Sequence, residues 1–119
     1  MSFDTESMLI IASASTPGEA AAMWWFYALR GGPKLDNSED LESFRIILAK
    51  KIDHLLTEKD RISMTVDYHL DHLLSAVAKE AGFSTGSFAD QLWKIRMWVK
   101  PDSVVVSNGR SELVHVWTK

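Results

Sequence analysis

Apolar and polar positions keep a helical period through the first half of the chain and an alternating period through most of the second. Thr16-Pro17-Gly18-Glu19 supplies an N-cap, a proline at the first helical position and a capping-box glutamate. The helix it starts runs to about Arg30, where Gly31-Gly32-Pro33 stops it. A second helix follows caps at Asp36, Asn37 and Ser38. Leu41, Phe44, Leu48, Ile52 and Leu55 recur along it at helical steps, with acids early and lysines late, as the helix dipole favours. The segment before Thr16 fits either a short strand at Ser7–Ile11 or a helical turn capped by Asp4.

From Ile62 the period becomes two. Ile62, Met64, Val66 and Tyr68 alternate with Ser63, Thr65 and Asp67, which predicts a half-buried strand. A third helix carries Leu70, Leu73, Leu74, Val77 and Ala81 on one stripe, with Gly82 as its left-handed stop. Residues 84–92 read as loop or a short helical turn. Trp93, Ile95, Met97 and Val99 then alternate with Lys94, Arg96, Trp98 and Lys100. Pro101-Asp102 is turn chemistry, Ser103–Ser107 a valine-rich strand, Asn108-Gly109 a hairpin signal and Glu112–Thr118 the returning strand. The expected architecture is a single α+β domain over residues 1–119, with two to three helices packed on an antiparallel β-meander of three to four strands.

Composition narrows the function classes. The 119 residues are 46% apolar and 24% charged, ordinary for a chain that folds around a core. Cysteine is absent, which removes disulfides, thiolate metal sites and thiol nucleophiles and suits a cytoplasmic location. A net charge of −3 gives no global basic field for nucleic acid or anionic membrane. The apolar stretch Met8–Leu29 follows acids rather than a basic n-region and is interrupted at Thr16–Glu19. It therefore reads as neither signal peptide nor membrane span.

Two surfaces are candidates for contact. Two-residue turns at Pro101-Asp102 and Asn108-Gly109 would pair Trp98 with Val105 and Val105 with Glu112. One sheet face then holds Ile95, Met97, Val99, Val104, Val106 and Leu113 as core. The opposite face holds Lys94, Arg96, Trp98, Lys100 and Arg110, with Val105, Val114 and Val116. An indole among cations suits a ring, phosphate or carboxylate partner, unless another helix covers it while the cations reach its rim. The second surface is Trp24-Trp25-Phe26-Tyr27, whose rings advance about 100° per residue around a helix. Either that helix is sandwiched between layers, or Trp24 and Trp25 anchor a partner or a second copy in a homodimer.

Catalytic chemistry is not signalled. No serine sits in a nucleophile elbow, no glycine-rich phosphate loop follows a strand, and no cofactor or small-molecule substrate is implied. Asp67, His69, Asp71 and His72 gather possible metal ligands, yet no third strong ligand stands at a characteristic spacing, so no metal is assigned. His54 and His115 are isolated. Val77–Phe88 resembles the turn region of tetracycline-repressor-type DNA-binding domains, with Ala78 and Gly82 four apart and Phe88 at the apolar position. That likeness implies a helix-turn-helix or winged-helix regulator using residues 78–94, although its recognition segment offers Asp90 and almost no cation.

Two further segments, Ile62–His69 with the helix ending at Ala81-Gly82, and Trp93–Val99 with Pro101–Val104 and its hairpin, resemble small accessory proteins of phages and prophages. The resemblance covers about half the chain and rests on structural motifs. It implies a compact inhibitor of anti-CRISPR or other anti-defence type, bound to a protein or protein–nucleic-acid complex. The expectation is therefore a non-enzymatic binding protein acting by occlusion.

Overall fold

The computed structural model describes residues 5–30, 38–67, 71–82, 94–107 and 113–119. Among them are α1 (Thr5–Ala12), α2 (Pro17–Arg30), α3 (Ser38–Leu55), β1 (Ile62–Val66), α4 (His72–Ala81), β2 (Ile95–Lys100), β3 (Ser103–Ser107) and β4 (Leu113–Thr118). The strands form one antiparallel sheet in the order β1-β2-β3-β4. The class is α+β as expected. The segment left open between strand and helical turn is a helix, so the sheet is accompanied by four helices rather than two or three.

Helix α2 explains the aromatic run. It packs against α3 on one side and against β2, β3 and β4 on the other, with α1 beside it. Ala20, Ala21 and Ala22 are fully buried and let its backbone approach both layers. Trp24 and Trp25 are 6% and 0% exposed and meet edge to face at 4.9 Å. The sandwiched alternative is therefore the one realised. As partner anchors Trp24 and Trp25 are corrected: two layers of the protein already enclose them.

The start of α2 is fastened to α3. Thr16 Oγ1 accepts from Glu19 N at 3.0 Å, the expected cap, and donates to Asp53 Oδ2 at 2.7 Å. Asp53 Oδ1 accepts from Gly18 N at 2.9 Å. This approach admits no side chain at residue 18, since a Cβ there would lie 2.4 Å from Ala49 O and 2.6 Å from the Asp53 carboxyl carbon. Helix α4 packs on α3. Asp71 is its N-cap, accepting from Leu73 N at 2.9 Å, and Gly82 closes it at φ 75°.

The sheet follows the alternating pattern up to β3. Met64 lies opposite Met97, and Val99 opposite Val104, all four buried. Lys100 pairs with Ser103, so Pro101-Asp102 is the tight turn expected. The last hairpin differs. Ser107 pairs with Leu113 rather than with Arg110, leaving 108–112 between the paired positions. Moving the register by three residues, an odd number, exchanges the two faces of β4. Leu113, expected in the core, is 57% exposed on the outer face beside Ser107. Val114, expected outside, lies opposite buried Val106 at the sheet's edge, 41% exposed. A bulge between Val104 and Val105 then lets both Val116 and Trp117 be buried. Trp117 Nε1 donates to Ala14 O at 2.8 Å and ties the β4 edge to the end of α1.

Candidate functional site

β2 divides its residues between the two sides of the sheet. Ile95, Met97 and Val99 point to the helices and are buried; Arg96 and Lys100 are exposed, Trp98 is half-buried, and Lys94, just before the strand, is exposed. The described helices contact the sheet from the inner side, and no described element lies over Trp98. The pairing sets rows of side chains across the outer face. One row is Ser63, Trp98, Val105 and His115; the next is Thr65, Arg96, Ser107 and Leu113. Neighbouring strands stand about 4.8 Å apart, so each row is a continuous strip.

Trp98 stands at the centre of this face. The Arg96 guanidinium carbon is 5.8 Å from its ring centroid, within cation–π range. An open groove lies on either side. One, of about 270 Å³, is lined by Thr65, Asp67, Lys94, Arg96, Trp98 and Ser107 together with Ile95. The other, of about 240 Å³, is lined by Arg61, Trp98, Lys100 and Ser103, and by Val105, Leu113 and His115. Lys94 enters β2 with φ 55°, a left-handed conformation costly for a residue with a side chain.

Charge is sorted between the two layers. β1, β2, β3 and β4 contain no aspartate or glutamate. Among the described residues, Arg61, Arg96 and Lys100 have no carboxylate within ion-pair distance, whereas Arg45 and Lys51 of the helical layer are paired. Arg45 Nε donates to Glu42 Oε1 at 3.1 Å, and Lys51 lies 3.4 Å from Glu80. The hydrogen bond from Arg45 holds the Glu42 carboxyl below the ordinary glutamate range, and Glu42 raises Arg45 in turn. Asp67 is the one acid lining either groove, and its Oδ1 is enclosed without a hydrogen-bond donor.

Of the residues expected on the contact face, Lys94, Arg96, Trp98 and Lys100 are brought together there, while Arg110 lies outside the described residues. Val105 shares the face; Val114 and Val116 do not. The sequence reading missed Arg61 and the position of Ser63 and Thr65 beside Trp98 and Arg96, because alternation in β1 gives its two faces but not the strand it pairs with. His115 was passed over as isolated. It reaches the face through the hairpin register, which no local pattern encodes.

No group of three His, Asp or Glu among the described residues could hold an ion, and Tyr68 and His69 lie outside those residues. Residues 83–93, most of the helix-turn-helix resemblance, lie outside them as well; 95–100 is strand. No described helix is long and apolar enough to cross a membrane. The site defines a class: an α+β protein with helices on one side of its sheet and a basic, tryptophan-centred face on the other. Compared with known proteins, the sequence matches no family model and no curated protein.

Proposed function

We propose that this protein is a non-catalytic binder that works by occlusion, laying the outer face of its sheet on an anionic surface of a macromolecular partner. One observation carries the reading: the strands hold no acid, and Arg96 and Lys100 share a face with half-buried Trp98 over which no described element packs. Tryptophan and arginine are among the side chains that most often dominate contact energy, the one by the area its ring buries and the other by its planar fork of charged donors. The acids of the helical layer point the molecular dipole so that this face meets a negative partner first. A phage-type inhibitor of a bacterial defence complex would need a surface of this kind, and the sequence resemblance supports that setting.

The test places a photo-reactive amino acid at Ser63, next to Trp98 on the outer face, and at exposed Lys50 on α3. The expected result is a discrete cross-linked adduct in producing cells from position 63, lost when Arg96→Glu is added. Adducts from position 50 with none from 63 would move the contact surface to the helices.

A further inference from the structure

We infer that the occupant of this face is single-stranded nucleic acid, with Trp98 as the stacking platform for a base. The inference rests on the docking reading above and adds the chemistry of the partner. Three observations favour a nucleic-acid strand over an acidic protein segment.

The first is how cations and ring are arranged. Arg96, Trp98 and Lys100 alternate along β2, and positions two apart on a strand are separated by about 6.6 Å. One nucleotide of a stretched backbone has a comparable reach, so phosphates can meet Arg96 and Lys100 while a base between them meets the indole. Arg61, before β1, adds a cation on the side of Lys100.

The second is the composition of the centre. Protein interfaces are depleted of lysine and enriched in apolar groups at their cores. Here the aliphatic side chains, Val105 and Leu113, lie to one side in the second groove, and the central strand is cationic apart from its ring. Hydroxyls of Ser63, Thr65, Ser103 and Ser107 border the ring. A flat ring with cations and hydroxyls around it is what sequence-tolerant single-strand binding uses.

The third is the open space. Grooves of about 270 and 240 Å³ flank the indole, so a strand can enter on one side of Trp98 and leave on the other. The Arg96 guanidinium lies over the ring, 5.8 Å from its centroid, a planar cation that can share a base or phosphate with the indole. A duplex keeps its bases stacked inside and offers this ring nothing. Asp67 repels phosphate at the far end of one groove, so the backbone runs along the cations and not into that end.

The experiment titrates the full chain into fluorescently labelled ten-nucleotide single strands of mixed sequence, the matching duplex and a ten-residue polyglutamate peptide, at several salt concentrations. The single strand should bind more tightly than the duplex or the peptide. Its logarithmic salt slope should be about −2, as expected for three phosphate contacts. Trp98→Ala should weaken single-strand binding roughly five- to 150-fold, the range for losing one stacked base, while Trp98→Phe keeps most of it. Lys100→Glu should make the slope shallower by about 0.7 or more. Circular dichroism of each variant checks that the fold is retained. Polyglutamate binding as tightly as the strand, with Trp98→Ala and Arg96→Glu both weakening the peptide, would overturn the nucleic-acid inference and leave the docking face standing. Absence of single-strand binding would overturn the inference alone, because the cross-link from position 63 judges the docking face separately.

Discussion

Trp25 and Trp98 are the same side chain in two settings. Trp25 lies in α2 with no exposed area, its ring edge to face with Trp24 and a layer of protein on either side. Trp98 lies in β2 with Arg96 beside it and an open groove on each flank. The fold encloses the first on every side and leaves the second open. Ile95, Met97 and Val99 repeat the lesson within one strand, since their alternation with the cations separates what packing requires from what contact uses. An indole left partly open to water among cations on the outer face is best explained by something it meets there.

Exchanging these tryptophans for alanine should break the comparison most visibly. Trp25→Ala removes a fully buried ring and should lower unfolding free energy by roughly 3–5 kcal/mol, a large share of the 5–15 kcal/mol typical of a domain. Urea denaturation followed by circular dichroism measures it. The interior is equally intolerant of addition: Gly18→Ala forces a methyl against Ala49 O and Asp53 and should cost about 1–3 kcal/mol on the same scale. Trp98→Ala gives up a half-buried ring and one cation–π contact and should stay within about 1 kcal/mol of the parent. A loss near that of Trp25 would mean that Trp98 is a core residue.

The smallest effect belongs to the helical surface. Glu42 has its folded pKa lowered by Arg45, so its contribution is present above the ordinary glutamate range and is lost as pH falls through the lowered value. The pair is solvent-accessible and screened, so Glu42→Gln should cost only about 0.2–0.5 kcal/mol at neutral pH. It should also flatten the acid limb of the stability profile, which thermal melts between neutral and acid pH can follow.

How much could be read from the sequence depended on how local the determining interaction was. Caps at Thr16 and Gly82 act within a few residues, and both stand where their chemistry put them. Alternation in β2 reports the two faces directly, so the inward Met97 and outward Arg96 were legible. The tight Pro101-Asp102 turn fixed the β2–β3 register. The last hairpin was misread because Asn108-Gly109 suggests a two-residue loop, while Ser107 pairs with Leu113. One odd shift sent Leu113 outward and let the bulge bury Val116 and Trp117. For Trp24-Trp25, spacing showed that no single face could bury every ring, but choosing between a second layer and a partner needed the tertiary contacts of α2. The site was half legible for the same reason: Arg96 to Lys100 are local to one strand, whereas Arg61, just before β1, and His115, in β4, reach the face only in the fold.

Residue-by-residue amide and indole shifts, recorded while a single-stranded decanucleotide is added to the isotope-labelled chain, test the contact surface most directly. The expected result is a contiguous set of shifts over Lys94–Lys100, Ser103–Ser107 and the Trp98 indole, with the Trp25 indole and α3 unmoved. Shifts gathered on α1 or α3, with the Trp98 indole unchanged, would contradict the account.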